Sequence, residues 1–411
     1  MKKVALLLAA AMLALAGCAS AGDTAAASDA APAESTAESA AAEDSTEAVL
    51  PGEPHPLSAY SACAVSGSSV YTAVSHFSSS EDSLGSFDHS TVYKTDLTTG
   101  QTYEMYRTGS QLASAPLIID DTLYFICYDG GMLALPTTGG EARVLPFSYD
   151  DWMPVFYAGH YLYCRSVSAA PFCRTGGMRF NLENGETAPW NIPVETMYIP
   201  DVVGDALLLC RVVSDYPVPY PDDDEMSQAL LQNTTLEYTL ADPATGAVRQ
   251  TCFTLPYDIP QPGNLTVYTY LGKCGSDFYF RADQCDDEYA LVSQSVLRIG
   301  TDGTRTDLGI TKTPDYLDYC AVLQGDEVRW LLTRGPDGIY LIYDTQGNEI
   351  GRNKRPAGLE AFFPLCMLDD GRLLMVVGYD WEHDSAARYA VMDADEFLTG
   401  GSAYREMTFA E

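Results

Sequence analysis

Basic residues are scarce in this chain of 411 residues, which carries 23 Lys and Arg against 57 Asp and Glu. The formal net charge is −34, and the acidic residues are spread along the whole sequence. A surface of this sign repels polyanions, so the composition argues against nucleic acid or an anionic membrane surface as a partner. It suits a cationic or neutral ligand, or a divalent ion.

The sequence also lacks the common motifs of catalysis and metal binding. It has no G-x-S-x-G, H-E-x-x-H or phosphate-binding loop, and its five histidines are scattered. The ten cysteines after Cys18 form no C-x-x-C pair, so zinc is not indicated. Most of them lie in apolar runs, as buried thiols do, and Cys164–Cys173 is the pair to test for a disulfide. No catalytic residue, metal or cofactor is predicted, although calcium stays open.

The N-terminus has the features of a secretory signal. Lys2 and Lys3 precede an apolar run over residues 4–16, too short to span a bilayer as a mature helix. The run ends in Leu-Ala-Gly-Cys18, which resembles the lipobox of bacterial lipoproteins. The resemblance implies that residues 1–17 are removed and that Cys18 carries a diacylglyceryl and palmitate anchor. It places the protein on the extracytoplasmic face of the cell membrane, because two acyl chains anchor stably.

Residues 18–50 are predicted to be a disordered tether. They are rich in Ala, Ser, Thr, Asp and Glu and contain no aromatic and no basic residue. Such a segment cannot bury enough apolar surface to offset its ordering entropy.

The remaining chain, residues 51–411, repeats one pattern. Residues 114–147 contain four short apolar runs separated by Asp- and Gly-containing turns, which predicts four antiparallel strands. The pattern recurs seven times at spacings of 39 to 71 residues, with these equivalent apolar positions: Val70, Leu123, Leu162, Leu207, Phe278, Val328 and Leu373. Repeats of four strands at this spacing are typical of β-propeller blades. We therefore predict an all-β propeller of seven four-stranded blades, with six or eight left open by the longest spacing.

A hairpin motif also links the chain to a known group. Tyr93-x-x-Asp96 before Gly100, and Tyr343-Asp344 before Gly347, resemble the hairpins of bacterial propeller lipoproteins related to TolB-like and lipoprotein-receptor-like propellers. The resemblance implies the fold over residues 57–410. It does not name a ligand, because propellers host enzymes, receptors and scaffolds.

The longest spacing contains an insertion at about residues 214–235, with an acidic run of Asp222, Asp223, Asp224 and Glu225. One interpretation is a capped surface helix whose first turn is acidic. The other is a lip that binds a ligand or calcium at the rim of the propeller.

Other candidates are few. Tyr149, Trp152 and Trp381 lie near blade entrances, where aromatic rings stack on sugars or seal blades against one another. His76 and His89 bracket a Ser- and Asp-rich stretch that we interpret as a flexible surface loop, the alternative being that they meet a carboxylate such as Asp82.

The favoured function is a lipid-anchored, monomeric module of the bacterial envelope that binds a protein or glycan ligand or acts as a scaffold. The alternative is an extracytoplasmic enzyme acting on glycans, with carboxylates at the mouth of the central channel.

Overall fold

Short runs of alternating apolar and polar residues, separated by turns, form nearly all of the regular structure described for this protein. The computed structural model describes residues 50–57, 62–77, 86–166, 176–193, 196–214, 234–256, 265–286, 290–310, 319–335, 338–383 and 385–410. All of them belong to one compact unit, Ala48–Glu411. Cys18, the predicted tether up to residue 49 and the acidic run at residues 222–225 lie outside the described residues.

Within these ranges the strands form seven consecutive four-stranded antiparallel units, numbered from the N-terminus. Unit 1 consists of β2 (Ala64–Ser66), β3 (Ser69–Phe77), β4 (Phe87–Asp96) and β5 (Gln101–Thr108). Unit 2 consists of β6 (Leu117–Ile119), β7 (Thr122–Ile126), β8 (Met132–Pro136) and β9 (Arg143–Leu145). Unit 3 consists of β10 (Trp152–Ala158), β11 (Tyr161–Ser166), β12 (Gly177–Asn181) and β13 (Thr187–Trp190).

Units 4 and 5 have the same four-stranded order. Unit 4 consists of β14 (Thr196–Val203), β15 (Ala206–Ser214), β16 (Thr234–Ala241) and β17 (Val248–Pro256). Unit 5 consists of β18 (Leu265–Cys274), β19 (Asp277–Cys285), β20 (Leu291–Gly300) and β21 (Arg305–Asp307).

The last two units complete the repeat. Unit 6 consists of β22 (Tyr319–Gln324), β23 (Glu327–Arg334), β24 (Ile339–Tyr343) and β25 (Glu349–Lys354). Unit 7 consists of β26 (Phe363–Met367), β27 (Arg372–Asp380), β28 (Ala386–Asp393) and β29 (Tyr404–Glu406). Between β28 and β29 lies α1 (Ala394–Leu398), capped by the Asp393 carboxylate, which accepts the backbone N–H groups of Asp395 and Glu396.

The predicted equivalent positions coincide in the structure. All seven lie in or at the start of the second strand of their unit, and each is no more than 1% exposed. Seven apolar cores then join the units pairwise in chain order, for example units 3 and 4 through Trp190 and Leu207. The seventh core joins unit 7 back to unit 1, with Leu374 and Val391 beside Cys63 and Val70. Because each sheet buries its faces against two neighbours in a cycle, the fold is a β-propeller, as predicted.

Two further strands lie outside the repeat. The strand β30 (Thr408–Phe409) pairs in parallel with β5, so the C-terminal end of the chain joins the outer strand of unit 1. The strand β1 (Pro54–Pro56) pairs antiparallel with β10, the first strand of unit 3. A Cβ added at Gly52 would lie 2.9 Å from the backbone nitrogen of Gly159, so the chain approaches the turn after β10 as closely as glycine allows.

The histidine prediction was wrong in one respect. His76 and His89 lie on the paired strands β3 and β4, directly opposite each other and stacked at 4.0 Å between ring centroids. His76 is 4% exposed and its Nε2 contacts the Thr91 hydroxyl, so the Ser- and Asp-rich stretch begins only after the strand has ended.

The buried-thiol interpretation holds for six of the cysteines that the structure describes, namely Cys63, Cys127, Cys164, Cys210, Cys252 and Cys366. Cys173 lies outside the described ranges, but Cys164 is a free thiol, so the structure does not form the Cys164–Cys173 disulfide that the sequence offered for testing. Among the described residues, no helix has the length and apolar character needed to cross a membrane.

Candidate functional site: the central cavity

A cavity of about 630 Å³ lies at the centre of the propeller. We call the first strand of each unit its inner strand, because residues of all seven inner strands, or of the turns that follow them, line this cavity. Much of the wall is apolar, and it includes Val65, Leu117, Ile118, Val155, Ile199 and Leu271. The strand β1 adds Pro56 to the wall, next to Leu57. A concave apolar space with a few fixed polar groups is the usual form of a small-molecule site.

The polar groups of the cavity centre on Lys273, near the end of inner strand β18. Its Nζ donates to Asp201 Oδ1 at 3.1 Å and to Asp326 Oδ2 at 2.5 Å. Asp201 lies on inner strand β14, and Asp326 lies in the turn after inner strand β22. The ammonium group therefore joins units 4, 5 and 6.

Asp201 is held by more than the lysine. Its Oδ1 also accepts the Val202 backbone N–H at 2.7 Å, and its Oδ2 accepts the Tyr270 hydroxyl at 2.7 Å. Behind it the Tyr198 and Tyr238 hydroxyls share a hydrogen bond of 2.5 Å. Both oxygens of Asp201 are thus occupied, which fixes the carboxylate in one orientation.

Burial dominates the electrostatics of this group. The side chains of Lys273 and Asp201 are 7% and 9% exposed, whereas that of Asp326 is 52% exposed. Burial raises the pKa of Asp201 above its usual range, although Lys273 and Tyr270 partly offset this effect. Burial alone would lower the pKa of Lys273, but the carboxylates of Asp326 and Asp201 outweigh this effect, so the pKa of Lys273 is raised. Lys273 is therefore a permanent cation at neutral pH and not a base or nucleophile.

The cavity wall presents carboxylates rather than the lysine. Asp201, Asp326 and Asp369 line it, and Lys273 lies behind the first two. One basic residue, Arg165 of unit 3, also lines the cavity, where it pairs with Met153 near the start of inner strand β10. With its apolar surface, such a wall can bind a ligand and orient it through charge. No group of three or more His, Cys, Asp or Glu side chains suited to hold a metal ion occurs among the described residues.

The sequence-predicted aromatic residues do not form one platform. Tyr149 and Trp152 pack against the core between units 2 and 3, which is the sealing role that the sequence left open. Trp381 follows β27 in unit 7 and is 67% exposed, with its Nε1–H directed at Glu360 Oε1 at 3.3 Å.

Sequence reasoning missed Lys273, Asp201, Asp326 and Tyr270. The available signal was Lys273 itself, a lone lysine in the otherwise apolar and aromatic run Tyr268–Cys274 of a chain that has few basic residues. A buried ammonium requires carboxylates nearby, so this position alone predicts an acidic partner. The partners' identities depend on strands some 50 to 70 residues away in the chain.

Comparison with known proteins finds solved structures of low similarity. No protein-family model and no curated protein matches this chain. Among solved structures, BamB from Moraxella catarrhalis is 12% identical with a TM-score of 0.40, covering 80% of this chain and 93% of its own. Oligogalacturonate lyase from Vibrio parahaemolyticus is 10% identical with a TM-score of 0.43, covering 75% and 84%. A puromycin-hydrolysing peptidase of Mycobacterium tuberculosis is 13% identical with a TM-score of 0.46, covering 87% and 56%.

Proposed function

We propose that this protein is a lipid-anchored binding module of the bacterial envelope, held at the extracytoplasmic face of the membrane through Cys18. Its ligand occupies the central cavity. The observation that carries the proposal is the cavity itself, which all seven units enclose and which combines an apolar wall with carboxylates held in place by Lys273.

The alternative, an enzyme acting on glycans, fits the same residues less well. Glycoside hydrolysis needs two carboxyl groups with the scissile bond between them. Asp201 and Asp326 share a contact in the cavity, and the Lys273 ammonium lies between them. An arrangement that neutralises the pair favours binding over hydrolysis.

The binding proposal is tested by filling the cavity. Ile118→Trp places a large side chain in the wall, with Val155→Phe as a second, smaller filler. The full-length protein in detergent is screened by thermal shift against calcium, glycans and small organic ions. A ligand that binds only the folded state raises Tm according to its occupancy.

Compounds that raise the Tm of the wild type but not of a folded filled variant support the cavity as the site. Equal shifts in wild type and filled variants contradict it. Release of sugar fragments from a glycan would instead favour the enzyme.

The anchor is tested separately. Cys18→Ala removes the acceptor of the lipid, so we expect loss of metabolic labelling by a palmitate analogue. Retention of label in Cys18→Ala contradicts the lipid anchor without bearing on the cavity.

A further inference from the structure

Two aspartates that line the cavity follow the inner strands of neighbouring units. The inner strands β22 and β26 pair in parallel, with Gln324 opposite Met367. Asp326 and Asp369 each lie two residues further along, in the turns that follow these strands. The Gln324 side-chain amide donates to the Leu368 carbonyl at 3.1 Å, which ties the two turns together at this level. Both aspartates line the cavity at the ends of these two inner strands.

This pair carries an excess of negative charge. Lys273 contacts only Oδ2 of Asp326, and that carboxylate is half exposed to the cavity. In the part of the chain that the structure describes, the Asp369 carboxylate has no ion pair or hydrogen bond. Two adjacent carboxylates repel each other, and a cation between them relieves the repulsion. The positive charge on Lys273 is shared with Asp201, so it does not balance the pair. The basic lining residue Arg165 lies on unit 3, opposite Met153 near the start of its inner strand, whereas the pair follows the ends of inner strands on units 6 and 7.

The rest of the cavity determines which kind of cation fits. The wall that continues from these turns includes Val65, Leu117, Ile118, Leu271 and Leu323. A bare divalent ion requires several oxygen ligands and makes no use of such a surface. An organic cation places its charged group at the carboxylates and buries its carbon skeleton against the wall.

The field of the whole protein acts in the same direction. The net charge is −34, and the turns that follow other inner strands also carry acidic residues, including Asp121 and Asp205. Such a field raises the local concentration of cations and speeds their encounter with the site.

We propose that the central cavity binds a small organic cation, an amine with an apolar body, whose ammonium group lies between Asp326 and Asp369. This inference rests on the proposed binding function and specifies the chemical class of its ligand. Asp201 and Tyr270 act as positioning residues, because Tyr270 holds Asp201, Asp201 holds Lys273, and Lys273 holds Asp326.

The test uses three compounds of equal chain length. Hexylamine, hexanol and hexanoate share one apolar body and differ in the charge of the head group, and calcium chloride is added as a bare cation. Binding to the full-length protein in detergent is measured by calorimetry and thermal shift at pH 7.5. We expect hexylamine to bind at least about tenfold more tightly than hexanol and hexanoate, the size of effect that one good charge pair provides.

Matched variants locate the ammonium group. Asp326→Asn and Asp369→Asn together are expected to weaken hexylamine about tenfold or more and to leave hexanol unchanged. Asp205→Asn is the control, because it removes the same charge from a turn residue that is 87% exposed and does not line the cavity. Its affinity for hexylamine is expected to stay within about twofold of the wild type.

The inference is overturned if hexylamine does not bind, or if hexanol or hexanoate binds as tightly as hexylamine. It is also overturned if Asp205→Asn weakens hexylamine binding as much as the double variant does, or if calcium at low concentration displaces hexylamine. Binding to the filled variant Ile118→Trp distinguishes failure of the cationic ligand class from failure of the proposed binding function. A neutral or anionic ligand that the filled variant no longer binds would preserve the cavity as the site and reject only the cationic class.

Discussion

At the scale of single residues, the propeller contains a buried ion pair between Lys273 and Asp201. Lys273 and Asp201 are almost fully buried, and the structure compensates by giving each of them at least two hydrogen bonds. Such a pair adds little net stability when intact, but the loss of one partner leaves an uncompensated charge. The group therefore specifies how units 4, 5 and 6 meet.

Lys273→Met is expected to lower the free energy of unfolding by about 3 to 5 kcal/mol, because it leaves the Asp201 carboxylate buried without a cation. The double variant Lys273→Met, Asp201→Asn is expected to recover most of the loss. Denaturant unfolding measures both. Lys354→Met, at an exposed position of β25, is the control and is expected to change stability by no more than about 0.5 kcal/mol. A loss in Lys273→Met no larger than in the control would contradict the prediction.

At the scale of elements, the recurring hairpin is maintained by aspartates that bind their own turns. The Asp96 carboxylate accepts the N–H groups of Thr98 and Thr99 at 2.7 and 3.1 Å, and Asp242 does the same for Ala244 and Thr245. This explains the Tyr-x-x-Asp-x-x-x-Gly motif, since the aspartate begins the turn and Gly100 takes a φ of 81° at its end.

These hydrogen bonds make the turn sensitive to acid. The backbone N–H groups of Thr99 and Thr98 hold the pKa of Asp96 below its usual value of 3.8. Because the folded-state pKa is the lower one, the stabilisation is present above about pH 4 and is lost as the pH falls through the folded-state pKa. Asp96→Asn is expected to cost no more than about 1 kcal/mol at pH 6, because the group is exposed.

The difference in Tm between wild type and Asp96→Asn is therefore expected to shrink as the pH is lowered from 6 towards 2. Thermal melts across this range measure it. Asp121→Asn provides the comparison, because within the described ranges the Asp121 carboxylate makes no hydrogen bond. If the Tm difference between wild type and Asp96→Asn stays constant over this pH range, the Asp96 carboxylate does not stabilise the turn as described.

The elements also show what the sequence could and could not predict. The strands of unit 2 follow from local pattern alone, because apolar runs and Gly- or Asp-containing turns alternate at short range, and β6 to β9 lie where they were predicted. The helix α1 replaces the turn that the repeat predicts between the last two strands. Asp393 followed by Glu396 three residues later is a typical signal of a helix N-terminus, which we did not recognise within the repeat pattern. The strands β1 and β30 could not be predicted, because each has only two or three residues and pairs with a strand that is distant in the sequence.

The charged residues around Lys273 could not be predicted from local sequence patterns either, because they are distant from one another in the sequence. Asp201, Lys273 and Asp326 lie on three units, and their meeting depends on the register and curvature of the whole ring. Among 57 acidic residues, nothing in the sequence singles out these two. The sequence instead drew attention to the acidic run at residues 222–225, whose role stays a prediction.

At the scale of the whole molecule, the ring is completed by the C-terminus. The backbone N–H groups of Thr408 and Ala410 donate to the carbonyls of Gly100 and Thr102, and Arg405 donates to the Leu97 and Thr98 carbonyls. Phe409 stacks on His383 of unit 7 at 4.0 Å and meets Tyr93 of unit 1 edge-on at 5.5 Å. Strand pairing and ring contacts thus bridge the first and last units.

Deletion of residues 408–411 is expected to lower Tm by about 5 °C, because it removes the parallel pairing with β5 and the bridging ring together. Phe409→Ala retains the backbone pairing and is expected to cause a smaller decrease. Calorimetry gives both values, and hydrogen exchange should show faster exchange of β5 amides in the deletion. An unchanged Tm and unchanged β5 exchange would show that the apolar core between units 7 and 1 closes the ring without the terminal strand.

The position of β1 has a mechanical consequence. The chain passes Gly159 at the turn after β10 and then enters the centre of the ring, where three residue pairs attach β1 to unit 3 and His55 stacks on Tyr157. In a molecule held by its N-terminus, tension would therefore reach the wall of the cavity before it reaches any strand of the seven units. If the proposed lipid anchor at Cys18 holds the protein, the shape of the cavity, and with it the occupancy of any ligand, would depend on the force transmitted through that anchor.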